Sequence, residues 1–276
     1  MLYWYQKATA QAFQATVAAL PMWFAGADLE RSLHALALNC ILLSALWPAA
    51  CAVARRCSRR FAALKHHKQR YVVANCSKAL CLAIVSMHPS FYDDMSHAYV
   101  HQAFTHGADN GMWIKRTSAL YIATDIVALY MVPQLPATTV AHHWVAALLA
   151  LCLFATDIQH ANVTIMIAIY GAWSSLAWPV NLFLALRCVF DNEWWMQYLA
   201  YTALVTYVCS CCVNWLWHLQ WLGQQVIADA VLFRWYGLCV LFYALSIAVV
   251  ARDDVILMGW LKTRALQKRG QHCTQE

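Results

Sequence analysis

An acidic residue and a histidine pair stand inside two neighbouring apolar segments, and these residue types can move protons. Asp125 lies in the segment that ends near Val132, and the pair His142-His143 lies in the segment that begins near Ala137. Two helices joined by a short turn run antiparallel. At roughly 1.5 Å per residue, Asp125 therefore lies about 10 Å below the turn and His143 about 9 Å. The carboxyl group and the imidazoles are predicted to share one depth, where imidazole can exchange a proton near neutral pH.

The composition indicates an integral membrane protein built from helices. Hydrophobic residues make up 62% of the 276 positions and charged residues 12%, against about 45–50% and about 25% in soluble domains. Several apolar runs reach the length of about 20 residues that a helix needs to cross a bilayer. These runs are continuous and do not alternate with period two, which favours helices over a β-barrel.

The predicted fold is all-α, with about seven transmembrane helices. Residues 1–32 are interpreted as an amphipathic lead-in at the membrane interface, 33–70 as the first span with a basic cytoplasmic loop, 71–262 as the helical domain and 263–276 as a basic cytoplasmic tail. The predicted spans are 33–54, 71–88, 112–132, 137–155, 162–189, a sixth that ends near 222, and 228–260.

Basic residues predict which side of the membrane each loop occupies. The segment from Arg55 to Arg70 holds seven basic residues and no acid, and the region of the tail adds Lys262, Arg264, Lys268 and Arg269. Basic clusters beside spans mark the cytoplasmic face and its anionic lipids. The two basic clusters are therefore interpreted as cytoplasmic segments and not as a nucleic-acid surface. Seven crossings then place the amino terminus outside and the tail inside.

Further polar residues fall at the level of the histidine pair. Lys78, Asn181 and the run Arg252-Asp253-Asp254 each lie about 10 Å from the inner end of their spans. A charge in the membrane costs at least about 2.5–3.5 kcal/mol on insertion scales, so such a layer must be paired or wet. The sequence therefore predicts a polar chamber that opens toward the cytoplasm.

Structural roles remain open for several of these residues. Lys78 could extend its ammonium to the inner surface, and an Arg252–Asp pair could fasten a helix end. Asn181 and the pair Ser174-Ser175 could join helices by hydrogen bonds. Two adjacent histidines at depth are harder to explain by one helix contact.

The order of these residues resembles the TLC-domain family, which contains the ceramide synthases and the translocating-chain-associated membrane proteins. The resemblance runs through a Lys78 span, a Tyr121-x-x-x-Asp125 span, a Pro-containing turn and His142-His143. It continues in a helix with Ser174, Ser175, Pro179, Asn181 and Arg187, and it covers about residues 71–262.

The chain departs from the family's pattern in two places, and it is placed closer to the smaller members than to the ceramide synthases. In ceramide synthases the histidine pair is followed by Asn and Arg and then by His-Asp, whereas this chain has no Lys or Arg between His143 and Arg187. The smaller members often carry a Glu ahead of the serines of the fifth helix, where Trp173 stands here.

The resemblance implies helices around a central cavity that accepts a lipid chain, and a reaction that transfers an acyl group from a thioester to a lipid amine or hydroxyl. His142 or His143 would act as general base or accept the acyl group, and Asp125 would orient an imidazole. Lys78 or Asn181 would stabilise developing negative charge. The predicted substrate-binding set is Lys78, Asn181, Ser174, Ser175, Arg252 and Asp253.

The resemblance also implies the partners and the location. Acyl-CoA is the expected co-substrate, and no bound cofactor or metal is predicted. The endoplasmic reticulum is the expected membrane, with the mitochondrial inner membrane as the alternative. The alternative function is that of a lipid-binding protein without catalysis or an accessory subunit of a larger membrane complex. Expected partners are membrane lipids, a second copy of the chain or complex subunits.

Overall fold

The computed structural model describes residues 27–88, 108–156, 163–191, 193–227 and 235–266, and within these ranges every regular element is a helix. The predicted all-α fold class is confirmed. The elements are α1 (Ala27–Cys57), α2 (Arg59–Ala62), α3 (His66–Ser86), α4 (Ala108–Met131), α5 (Ala137–Ala155), α6 (Val163–Ser175), α7 (Trp178–Phe190), α8 (Trp195–Ile227) and α9 (Trp235–Leu266). Residues 1–26 of the predicted lead-in and residues 267–276 of the predicted tail lie outside the described ranges.

The turn between α4 and α5 forms where the two prolines interrupt the apolar sequence. Proline lacks a backbone N–H and fixes its φ angle, so it ends one helix and suits the residue just before the next. Pro136 has the extended angles φ −56° and ψ 144° directly before α5. Gln134 takes φ 68°, in the left-handed region, where the chain reverses. This short turn brings α4 and α5 side by side.

Another proline, Pro179, bends the segment that the sequence predicted as one span over 162–189. Pro179 lies in the first turn of α7, where the missing N–H leaves the end of α6 without a continuing helical bond. The residues between the two helices instead form hydrogen bonds that span three residues. One runs from the Ala177 N–H to the Ser174 carbonyl at 3.1 Å. As a result, α6 and α7 meet at an angle of 44°.

Three described helices are long and apolar enough to cross a membrane. They are α1 over Leu29–Cys57, α5 over Ala137–Ala155 and α8 over Trp195–Gln224, and the bent pair α6–α7 would be a fourth. This number is compatible with a multi-pass integral membrane protein.

Packing places α6 near the centre of the bundle. Ile165, Met166 and Ile169 are fully buried in a core shared with α5, α8 and α9, as expected of a helix that is apolar on all sides. On the outer helices, large apolar side chains such as Ile41 and Leu216 are exposed, which is the surface that lipid tails require. Polar side chains lie in the interior that the helices from α3 to α9 enclose.

Candidate functional site

A cavity of about 450 Å³ lies among the helices, and every helix from α3 to α9 contributes to its wall. Its volume falls within the range of about 300–1,000 Å³ that is typical of small-molecule sites. The cavity extends from the α4–α5 turn, where Pro136 lines it, to the level of Leu82 and Asn214. The predicted site residues Lys78, His142, His143, Ser174, Asn181 and Asp253 line it.

The first polar contact in this wall joins α3, α4 and α5. The Lys78 ammonium forms an ion pair with Asp125 Oδ1, and His143 Nδ1 lies 3.2 Å from the same oxygen. The Asp125 side chain is 0% exposed and that of Lys78 is 15% exposed. Asp125 and His143 therefore lie at one depth, as the count from the turn predicts. Asp125 itself lies behind the cavity wall, in contact with two residues that line it.

The second polar contact joins α5 to α9. His142 Nδ1 lies 3.3 Å from Asp253 Oδ2, and the Thr139 hydroxyl donates to Asp253 Oδ1 over 3.4 Å. The two imidazole rings are 5.7 Å apart and inclined at 74°, so each faces a different carboxylate. His142 and His143 thus form two separate His–Asp pairs in one cavity wall.

Both pairs have the composition of a supported general base. A carboxylate beside Nδ1 orients the ring and stabilises its protonated form. Since Nδ1 faces the carboxylate in each pair, Nε2 is directed away from it. The Nδ1 contacts are at ion-pair distance, but the angles are not those of a hydrogen bond. A substrate proton could be taken up at Nε2 of either ring.

A third polar centre surrounds Asp254, which the sequence placed in the polar layer but not among the catalytic or substrate-binding residues. Asp254 is buried and accepts hydrogen bonds from the Tyr170 hydroxyl at 2.9 Å and the Tyr207 hydroxyl at 2.6 Å. All three residues line the cavity. A buried phenol needs a hydrogen-bond partner, but Tyr170 and Tyr207 lie on α6 and α8, and no spacing in the sequence connects them to α9.

Two of the predicted substrate-binding residues line the cavity while bonding to their own helices. The Ser174 hydroxyl donates to the Tyr170 carbonyl at 2.8 Å, and the Asn181 amide donates to the Ala177 carbonyl at 3.4 Å. Two others lie elsewhere. Ser175 is buried behind the wall, where its hydroxyl donates to the Ala172 carbonyl, and Arg252 is exposed on α9.

In the part of the chain that the structure describes, no three His, Cys, Asp or Glu side chains are grouped as metal ligands. Comparisons with protein-family models, with curated proteins and with solved structures find no match to this chain. The resemblance to the TLC-domain family stays a prediction.

Proposed function

We propose that this chain is a multi-pass membrane enzyme of lipid metabolism, similar in architecture to the smaller TLC-domain proteins. It would transfer an acyl group from a thioester such as acyl-CoA to an amine or hydroxyl of a lipid held in the cavity. The observation that carries the proposal is the pair of adjacent histidines in the cavity wall, each at ion-pair distance from its own carboxylate.

In the proposed reaction, Nε2 of one histidine removes the proton from the lipid hydroxyl or amine as that group attacks the thioester carbonyl. A new C–O or C–N bond forms, the C–S bond breaks, and the thiolate leaves with the proton returned by the imidazolium. Asp125 or Asp253 would stabilise the imidazolium in between. The Lys78 ammonium, which lines the cavity beside Asp125, would stabilise the oxyanion. An acyl group held briefly on the imidazole is the alternative route.

The proposal includes the membrane arrangement. The seven crossings would be α1, α3, α4, α5, the bent pair α6–α7, α8 and α9. The basic residues between Arg55 and Arg70 would then lie in the cytoplasm, with the α4–α5 turn on the same side. The endoplasmic reticulum is the proposed membrane, and the mitochondrial inner membrane is the alternative.

One observation favours the second candidate function, lipid binding without catalysis, alone or as an accessory subunit. Asp125 already forms an ion pair with Lys78, so its negative charge is partly neutralised before any substrate arrives. A polar network of this kind can also serve to hold helices together in the membrane. In this candidate the cavity would hold a lipid, and the partners would be a second copy or the subunits of a complex.

The two candidates are separated by the variant His142→Ala/His143→Ala. If the protein is an enzyme, acylated lipids in the membranes of the expressing cells should change with the native chain and return to the level of empty cells with the variant. His34→Ala is the matched control, because His34 is exposed on α1 and outside the cavity. Equal lipid profiles for the native chain and the double variant would refute catalysis, and stable co-purification with other subunits in mild detergent would favour the second candidate.

A further inference from the structure

Of the basic residues that line the cavity, Arg187 is the one without a role in the proposed chemistry. It lies in the last turn of α7 and lines the cavity at the end next to the α4–α5 turn. Its guanidinium carbon lies 4.6 Å from the centroid of the Trp260 ring and 5.9 Å from that of the Tyr71 ring. Stacking on aromatic faces is favourable for a guanidinium, and it fixes the plane in which its N–H groups point.

No carboxylate of the described residues lies within ion-pair distance of Arg187. Lys78, in contrast, is paired with Asp125, and Arg60 is paired with Glu193 at 2.6 Å. The Arg187 Nε atom is buried and has no hydrogen-bond partner in the described part of the chain. A buried donor on a charged group is costly to leave unmade, and basic side chains at membrane depth usually mark a site for a ligand or ion.

The position of Arg187 along the bundle sets what a bound group could reach. Tyr71 precedes Lys78 by seven residues of α3, a separation of about 10 Å along the helix axis. The stacked arginine therefore lies nearer than the histidine pairs to the end of the cavity next to the α4–α5 turn. Exposed basic residues of α1, α2 and early α3 surround the same end of the bundle (Arg55, Arg56, Arg59, Arg60, Lys65 and Lys68). Their field would draw an anion toward this end of the cavity.

We propose that Arg187, held between Trp260 and Tyr71, binds the phosphate group of the cavity's ligand. The planar fork of a guanidinium binds two phosphate oxygens at once, which makes such contacts both strong and directional. The phosphate belongs either to the headgroup of a phospholipid or to the coenzyme A part of a thioester donor. The inference deepens the proposed function, because it names the feature of the substrate that is recognised about 10 Å before the reacting group.

The test measures binding to the full chain in dodecyl maltoside micelles by native mass spectrometry and calorimetry. Four probes separate the two sources of phosphate: dioleoyl phosphatidic acid against dioleoylglycerol, and coenzyme A against pantetheine. The native chain should bind one phosphate-bearing probe at least about tenfold more tightly than its phosphate-free counterpart. A preference within the first pair identifies a lipid headgroup, and a preference within the second identifies the donor.

The variant Arg187→Gln should abolish that preference, and Arg187→Lys, which keeps the charge but loses the fork, should keep only part of it. Arg116→Gln is the matched control, because Arg116 is exposed on α4 toward the opposite end of the bundle and outside the cavity. The comparison with Arg187→Lys remains decisive if Arg187→Gln does not fold. Equal binding of the paired probes, binding of none of the four, or an unchanged preference in both Arg187 variants would overturn the proposal.

The double variant His142→Ala/His143→Ala keeps this test independent of the proposed function. It should retain the phosphate preference, because neither histidine takes part in holding the phosphate. If the preference persists but lipid turnover does not depend on the histidines, the phosphate site stands and the enzyme does not. If turnover depends on the histidines and no preference exists, the enzyme stands and the phosphate site does not.

Discussion

Replacing Lys78 by Met tests whether the Lys78–Asp125 pair sets the stability of the cavity wall. The substitution keeps most of the side-chain volume and removes only the ammonium that faces Asp125. The Asp125 carboxylate is 0% exposed, so it cannot turn to water. His143 Nδ1, 3.2 Å away, remains beside the carboxylate.

Removing one member of a buried ion pair typically destabilises a protein by about 3–5 kcal/mol, because the other charge stays buried without its partner. The His143 imidazole stays in contact with the Asp125 carboxylate, so Lys78→Met should fall near the lower end, at about 3 kcal/mol. Replacing both members by apolar residues, in Lys78→Met/Asp125→Leu, removes the buried charge altogether. That variant should be within about 1–2 kcal/mol of the native chain.

The assay is equilibrium unfolding in mixed micelles of dodecyl maltoside and increasing sodium dodecyl sulfate, followed by tryptophan fluorescence. Lys68→Met is the matched control, because Lys68 is exposed on the same helix and should change stability by less than about 0.5 kcal/mol. The reasoning is refuted if Lys78→Met costs no more than Lys68→Met. It is equally refuted if the loss of stability in Lys78→Met/Asp125→Leu equals the sum of the losses in Lys78→Met and in Asp125→Leu.

Three further predictions follow from buried contacts and from the basic loop. Tyr207→Phe removes the 2.6 Å hydrogen bond to Asp254 and should lower the free energy of unfolding by about 1.5–3 kcal/mol in the same assay. The control Tyr201→Phe, at an exposed position of α8, should lower it by less than about 0.5 kcal/mol. Equal losses would contradict the role of Asp254 as an acceptor. Ile169→Ala opens a void in the centre of α6, where Ile169 is fully buried, and should cost about 2–5 kcal/mol; a loss below about 1 kcal/mol would argue against the central position of α6. In a variant that keeps only Cys57, which is exposed at the end of α1, an impermeant maleimide should label the protein once the plasma membrane alone is opened. Labelling only after the internal membrane is also opened would reverse the proposed sidedness.

The helices and the main turn could be predicted because the signals are local. Long apolar runs fix where helices form, and Pro133 and Pro136 fix where α4 ends and α5 begins. The same local rule also applies at Pro179, but residues 162–189 were predicted as a single span. A proline near the middle of an apolar run predicts a break as well as a membrane helix, and here it produces an angle of 44°.

The contact of Asp125 with His143 was predictable because only one short turn separates their helices. Counting residues from a shared end gives relative depth without knowledge of the rest of the fold. The contacts of Asp254 were not predictable in this way. Tyr170 and Tyr207 reach it from α6 and α8, and the lateral order of helices is set by packing over the whole bundle and not by any local spacing.

The arrangement of the cavity follows from two adjacent pairs of residues on facing helices. Neighbours on an α-helix point about 100° apart, so His142 and His143 cannot face one carboxylate, and Asp253 and Asp254 cannot face one donor. Of these four residues, His142 and Asp253 make the direct contact between the two helices. The other residue of each adjacent doublet contacts a different helix. His143 contacts Asp125, and Asp254 accepts hydrogen bonds from the tyrosines of α6 and α8. With Lys78, which pairs with Asp125 from α3, the contacts of the two doublets on α5 and α9 connect six helices around one cavity. Moving either histidine by one position would remove its contact with its own carboxylate.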